Sequence, residues 1–150
     1  MILSPLNKRR FKNFKSNKRG WYSFWIFFIL FIISIFADFI ANDKPLLIKF
    51  ETDYYFPILN HYPETIFGGD FETEADYRDP YVINLITNKG WIIMPIIPYT
   101  FNTIIRNLEM PAPSAPSKKN WLGTDDQARD VLARLIYGFR ISILFGFALT

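Results

Sequence analysis

Two uncharged runs stand out in the pattern of hydrophobic and polar positions along the chain. From Trp21 to Ala37 seventeen residues carry no charge, and extension to Ala41 gives twenty-one residues with one acid, Asp38. At a helical rise of about 1.5 Å per residue, these lengths match the hydrocarbon core of a bilayer. The pattern predicts a transmembrane helix over residues 21–41.

The second uncharged run, residues 141–150, holds ten residues. A helix of this length cannot cross a bilayer. An apolar end without a polar stop would leave a stump in lipid, so we expect these residues to be the truncated start of a second transmembrane helix. On this interpretation the chain is an N-terminal fragment of a longer protein.

Charges on either side of the first run predict its orientation. Residues 1–20 contain seven Lys or Arg and no acid, whereas the twenty residues after the run contain only Lys44 and Lys49. By the positive-inside rule, residues 1–20 form a cytoplasmic basic tail. The alternative is a cleavable signal peptide, but its apolar core would be shorter, and a cut after Ala41 would place Phe39 where a small residue is needed.

Between the runs, residues 42–119 read as a small α+β insert outside the cytoplasm. Two β-prone stretches, Leu46–Phe50 and Tyr54–Leu59, predict a hairpin. Asp79 before a proline and an apolar face predicts a capped helix over residues 80–88. The prolines in "WIIMPIIPY" confine that stretch to an edge strand or irregular chain, and "MPAPSAPSKK" is typical of a stiff linker.

The most patterned stretch is "NWLGTDDQARDVLARLIYGFRIS", residues 120–142. Thr124 and Gln127 have the spacing of a capping box, which predicts a helix that starts at Thr124. We expect residues 120–140 to form this motif helix, which would lie at the membrane surface or pack on a partner. Asp130 and Arg134 are spaced as an i,i+4 ion pair.

The periodicity of the same stretch predicts which residues of the motif helix are buried and where it ends. The expected apolar face comprises Val131, Leu132, Leu135, Ile136 and Phe139. Gly138 and Arg140 are expected to mark a bend before the uncharged run.

Catalytic and metal-binding chemistry has little support in the sequence. The chain has no cysteine and one histidine, His61, so the common zinc sites cannot form. The acids between Asp70 and Asp79 lack the glycine and closing glutamate of a calcium loop. A phosphate-binding loop with Lys-Ser/Thr is also missing from the sequence. We therefore expect no catalytic, cofactor-binding or metal residues in this chain.

At "LGTDDQARDVLARLIYGFRISILFG" a resemblance becomes specific. The stretch is similar to the one before the second transmembrane helix of inner-membrane permeases in dipeptide and oligopeptide ABC importers. The matching residues are Leu122, Gly123, Thr124, Asp125, Arg129, Asp130, Arg134, Gly138, Arg140 and Ser142. Ala128 stands where that family usually has glycine. Landmarks such as "IANDKPLL" and "ADYRDP" extend the resemblance over the whole chain, to the YejE type of permease that serves microcin C and oligopeptide import.

The resemblance implies an α-helical membrane protein, a type I ABC importer permease of about six transmembrane helices with a small α+β periplasmic insert. It implies a permease subunit for ATP-driven import of peptides or peptide-like compounds across the bacterial inner membrane. The implied partners are a second permease subunit, two cytoplasmic ATPase subunits or domains, a periplasmic peptide-binding protein and the lipid bilayer, with no nucleic acid. ATP would be used by the partner ATPase, so this chain would be a transporter subunit and not an enzyme.

Two other classes are compatible with parts of the pattern. A single-pass membrane-anchored periplasmic binding or assembly module would place all function in residues 42–119. Further apolar spans after Thr150 would exclude it. A membrane-anchored hydrolase is disfavoured, because the sequence shows no paired nucleophile and base.

Overall fold

The structure, a computed structural model, describes residues 4–150 and contains helices at both ends with a small sheet between them. The elements in chain order are α1 (Pro5–Ser16), α2 (Lys18–Ile35), α3 (Ala37–Ile40), β1 (Leu47–Phe50), β2 (Asp53–Tyr55), a 3₁₀ helix (Glu64–Phe67), α4 (Pro80–Lys89), β3 (Gly90–Ile93) and α5 (Val131–Ala148).

Two helices, α2 and α5, are long and apolar enough to cross a membrane by length and composition. Few of their side chains are buried, whereas the core helices of soluble proteins are mostly buried. Edge-to-face pairs join them, with ring centroids 5.6 Å apart for Phe27 and Phe139 and 5.8 Å apart for Phe31 and Phe147.

The apolar run beyond α2 is not one continuous helix. Helix α2 ends at Ile35, Phe36 leaves the helical conformation, and α3 resumes at Ala37. The Ser34 hydroxyl donates to the carbonyl oxygen of Phe31 at 2.7 Å. Such a bond to the preceding turn competes with the helical ladder and bends helices.

The insert folds as an antiparallel sheet of order β2-β1-β3 covered by α4. The predicted hairpin is confirmed by pairing of β1 with β2, although β2 ends at Tyr55 because Pro57 follows. The helix predicted at 80–88 is confirmed as α4, with the Asp79 carboxylate accepting from the Tyr81 N–H at 2.8 Å. The core of the insert comprises Ile48, Phe50, Phe67, Ala75, Tyr77, Val82 and Ile86.

Both alternatives for the stretch after α4 occur: β3 is an edge strand that pairs only with β1 among the described strands, and residues 94–99 are irregular chain. Gly90 begins this strand against the β1 backbone. A Cβ on Gly90 would lie 1.8 Å from the carbonyl oxygen of Lys49, so only glycine allows this close approach.

A second core fastens the insert to the helices at both ends of the chain. Its buried residues are Ala37, Ala41, Ile97, Ala133 and Tyr137. Backbone bonds reinforce it: the Ile97 N–H donates to Ile40 O at 2.9 Å, and the Asn42 N–H donates to Ile97 O at 3.0 Å. The segment after β3 therefore bridges α3 and α5.

The prediction that the motif helix starts at Thr124 is wrong, because α5 begins at Val131 and residues 120–130 form a loop. The Gln127 N–H donates to the Asp125 carboxylate at 2.9 Å, and Ala128 has a φ of 59°, in the left-handed region. A left-handed residue interrupts a right-handed helix, so the capping box does not form.

The predicted bend at Gly138 and Arg140 is also wrong, since α5 runs without interruption from Val131 to Ala148. One glycine inside a helix costs about 1 kcal/mol relative to alanine but removes no backbone hydrogen bond. The buried face is centred on Ala133 and Tyr137, whereas Leu135, expected to be buried, is 57% exposed.

Candidate functional site

The candidate site is the loop of residues 120–130 together with the polar side chains that hold α5 in place. The loop closes on itself through the backbone. Asp125 N–H donates to Arg129 O at 3.0 Å, and Val131 N–H donates to Gly123 O at 3.1 Å. These two hydrogen bonds therefore fix the position at which the chain passes from the loop into α5.

Gly123 is required by its conformation and by its surroundings. Its φ is 75°, in the left-handed region, and a Cβ there would lie 2.3 Å from the carbonyl oxygen of Ser114. Any side chain would strain the backbone and collide with the linker. The next residue ties the loop to the same place, because Thr124 N–H donates to Ser114 O at 3.0 Å and the Thr124 hydroxyl accepts from the Ser114 N–H at 2.9 Å.

Asp125 is the centre of the loop. One carboxylate oxygen accepts from the N–H groups of Gln127 and Arg129, both at 2.9 Å. The other accepts from Arg129 Nε at 2.9 Å and is paired with the guanidinium of Arg134. The Asp130–Arg134 ion pair predicted from spacing is therefore wrong, since Arg134 reaches back to Asp125.

The electrostatics of Asp125 follow from these contacts. Burial opposes ionisation, but the backbone and guanidinium hydrogen bonds from Arg129 and the N–H of Gln127 outweigh it. The pKa of Asp125 consequently lies below its ordinary value. The carboxylate stays charged near neutral pH and holds the two arginines together.

Asp130 begins α5 as its N-cap. Its carboxylate accepts from the Ala133 N–H at 2.8 Å and from the Asn120 amide at 2.8 Å, and its side chain is fully buried. The side chain therefore satisfies a free N–H of the first helical turn. It also fixes the start of the loop to its end.

A second polar cluster joins α5 to the residues after α2. The Tyr137 hydroxyl lies 2.8 Å from both Asp38 Oδ1 and Ala41 O. Arg140 Nη1 donates to Asp38 Oδ2 at 2.8 Å, and its guanidinium lies 4.9 Å from the centre of the Tyr137 ring. We call Asp38, Tyr137 and Arg140 the interhelix clamp.

The ten residues that carry the resemblance do not form one site. Six meet in the loop and the first turn of α5: Gly123, Thr124, Asp125, Arg129, Asp130 and Arg134. Arg140 belongs to the clamp. The other three are exposed: Leu122, Gly138 and Ser142.

Sequence reasoning missed four residues that complete the two clusters. Asn120 and Ser114 hold the loop, and Asp38 and Tyr137 hold the clamp. Asp38 and Arg140 had a usable signal, because an acid and a base within otherwise apolar stretches favour pairing. Asn120 and Ser114 had none, since their partners lie ten residues away in irregular chain.

Within residues 4–150, no group of three or more acidic or histidine side chains could hold a metal ion. His61 lies at the surface with Nδ1 2.8 Å from Glu74 Oε1, and Lys44 joins the same carboxylate. The polar clusters described above bind the chain to itself. Their chemistry is that of positioning helices.

The class of protein follows from a match to a known family. Residues 4–63 match the family model described as the N-terminal TM domain of oligopeptide transport permease C. The match runs from α1 to the turns after β2. No solved structure matches the chain.

Similarity to individual proteins extends over nearly the whole chain. It is 47% identical over 148 residues to the inner membrane ABC transporter permease protein YejE of Escherichia coli (strain K12), covering 99% of this chain and 43% of that protein. It is 44% identical over 171 residues to the peptidoglycan transport system permease protein YejE of Agrobacterium fabrum, covering 98% of this chain and 45% of that protein. The resemblance to YejE-type permeases is confirmed, and the chain spans less than half the length of these relatives.

Proposed function

We propose that the chain belongs to a permease subunit of an ATP-driven importer of peptides or peptide-like compounds in the bacterial inner membrane. One observation carries this proposal: the similarity to two YejE permeases covers 98–99% of the chain, from the basic tail to α5. The match includes the loop of residues 120–130 and the clamp, so it is not limited to apolar composition.

In this proposal α2 and α5 cross the membrane and the α+β insert lies in the periplasm. The seven cations before α2 favour a cytoplasmic N-terminus. Two helices cannot enclose a path for a polar solute, because the solute must be shielded from lipid by several helices. The complete subunit and a second permease subunit would supply them.

Energy for import would come from partner proteins. Two cytoplasmic ATPase subunits or domains would hydrolyse ATP, and a periplasmic binding protein would deliver the solute. This chain would need no cofactor of its own. Its contribution would be to place α5 against α2, with Asp130 fixing where α5 begins and the interhelix clamp fixing its contact with α3.

The proposed cargo follows from the names of one relative and of the family model. One is named for peptidoglycan transport, and the family model is named for oligopeptides. Both contain short peptides, so we propose cargo with a peptide backbone. Peptide-nucleotide antibiotics such as microcin C would be included.

A deletion strain tests the function. With redundant peptide importers also removed, loss of the full-length gene should abolish uptake of a labelled tripeptide and of a muropeptide, and should confer resistance to a peptide-type toxin. The full-length gene should restore all three. Normal uptake and normal toxin sensitivity in the deletion strain would contradict the proposal.

Topology is tested separately with reporters in the full-length protein. A reporter fused before Trp21 should be cytoplasmic, and one inserted within residues 111–117 should be periplasmic. Both reporters on the same side would exclude α2 as a spanning helix. Correct topology without peptide uptake would instead point to a different cargo.

A further inference from the structure

The basic tail of the chain is a defined helix that folds back on α2. Helix α1 begins with the Ser4 side chain accepting from the Asn7 N–H, and a single residue, Asn17, separates it from α2. The Asn17 side chain accepts from the Gly20 N–H at 3.3 Å and so caps α2. The connection is therefore short and capped.

Aromatic contacts fix α1 against the first turns of α2. The Phe14 ring lies 5.6 Å from the Trp21 ring and 5.7 Å from the Phe24 ring, and Phe11 lies 6.0 Å from Trp21. All three pairs are edge-to-face, the geometry that aromatic quadrupoles favour. Helix α1 is thus attached at the level of Trp21 and Trp25, whose rings favour the headgroup region.

The remaining surface of α1 is cationic and unneutralised. It carries five cations, Lys8, Arg9, Arg10, Lys12 and Lys15, all exposed. Residues 1–19 contain no acid, and none of the ion pairs among residues 4–150 includes any of these five side chains. Lys8, Lys12 and Lys15 follow i, i+4, i+7 spacing and so form one row along the helix.

We propose that α1 is a binding surface for the headgroups of anionic phospholipids. The proposal rests on the proposed function only in that α2 crosses the membrane. Aromatic attachment at the headgroup level holds the row of lysines beside the lipid phosphates, and each such cation strengthens binding to an anionic surface about fivefold. An RNA partner is disfavoured because the covalent link to α2 keeps α1 at the membrane throughout.

Lipid contact can be measured with a fluorophore on α1. Ser16→Cys in a cysteine-free background of the full-length protein places the label at an exposed position opposite the aromatic face and next to Lys12. The protein is placed in phosphatidylcholine nanodiscs that contain spin-labelled phosphatidylglycerol or spin-labelled phosphatidylcholine. We expect stronger quenching by the phosphatidylglycerol, and expect added salt to reduce the difference because exposed charges are screened.

Charge variants identify the surface responsible. At about fivefold for each cation, the variant K8Q/K12Q/K15Q should reduce the affinity of α1 for phosphatidylglycerol about a hundredfold and so abolish the preference for this lipid. The matched control R106Q/K118Q/K119Q removes three exposed cations from the insert and should leave the preference unchanged. Glutamine is compatible with helix, so the variants should fold.

Three results would overturn the proposal: equal quenching by the two lipids, a preference that the α1 variant retains, or preferential binding of an RNA oligonucleotide by α1 in phosphatidylcholine discs. Extraction of the protein by alkaline carbonate would show that α2 is not inserted. That result would overturn the proposed membrane function itself. It can be told apart from a failure of lipid binding, because extraction is measured before the two lipids are compared.

Discussion

The geometry of the loop can be tested at Ala128, where a single substitution should stabilise the folded protein. Its φ of 59° places it in the left-handed region, which glycine adopts without strain. Its neighbours hold it there: the Ala128 N–H donates to Asp125 O at 3.1 Å, and Ala128 O accepts from the Ile105 N–H at 2.9 Å. We predict that Ala128→Gly stabilises the loop.

The magnitude follows from two opposing terms. A left-handed alanine costs about 1–2 kcal/mol, which glycine avoids. Glycine gains roughly 0.4–1 kcal/mol of conformational freedom in the unfolded chain, which opposes the benefit. The net gain for Ala128→Gly is about 0.5–1 kcal/mol, or about a two- to fivefold smaller population of the opened loop.

Hydrogen exchange of the full-length protein in detergent measures this directly. The Ile105 amide, which donates to Ala128 O, should exchange about two- to fivefold more slowly in Ala128→Gly. The control is Ala115→Gly, at an exposed alanine of the linker that has no positive φ, which should not slow exchange. Equal or faster exchange at Ile105 in Ala128→Gly would refute the left-handed assignment.

Three further predictions concern the polar clusters. Asp130→Ala should lower the free energy of unfolding by about 1–3 kcal/mol, because a buried N–H loses its acceptor. The thermal midpoint of the full-length protein in detergent should therefore fall. An unchanged midpoint would contradict the N-cap role of Asp130. In a double-mutant cycle of Asp38→Asn and Arg140→Gln, the thermal midpoints should show a coupling of about 1 kcal/mol, whereas additive losses would exclude the ion pair. Because the pKa of Asp125 is lower in the folded state, its stabilisation is present above about pH 4, the ordinary value, and is lost as pH falls through the folded pKa. The midpoint should therefore drop on acidification, and Asp125→Asn should show a smaller drop; identical pH profiles would count against this assignment.

The elements that the sequence predicted well are those with local signals. Asp79 is the N-cap of α4 and Pro80 is its first residue, and the Asp79 carboxylate accepts from Tyr81, two residues along the chain. The hairpin of β1 and β2 likewise joins strands separated by two residues, Glu51 and Thr52. Both elements depend on interactions between residues close in the sequence, so the sequence pattern predicts them correctly.

The start of α5 depended on distant partners and was therefore mispredicted. Both Thr124 and Asp130 can cap a helix, and spacing alone favours the first. Asp130 caps α5 because Asn120 fixes its second oxygen, while Thr124 is held by the linker at Ser114. Neither contact leaves a periodic trace in the sequence, so the choice between the two caps could not be predicted from it.

The interhelix clamp also sets an order of events during synthesis. Its hydrogen bonds join Asp38 to Tyr137 and Arg140, which are 99 and 102 positions further along the chain. These bonds therefore cannot form until both later residues have been synthesised. At about 5–20 residues per second, translation from one to the other takes roughly 5–20 s. During that interval Asp38, which lies in α3, is without these two partners while the residues of the insert are synthesised. Ala41 and Ile97, which backbone hydrogen bonds at Ile40 and Asn42 hold side by side, are therefore synthesised before α5 and form the surface against which Ala133 and Tyr137 pack.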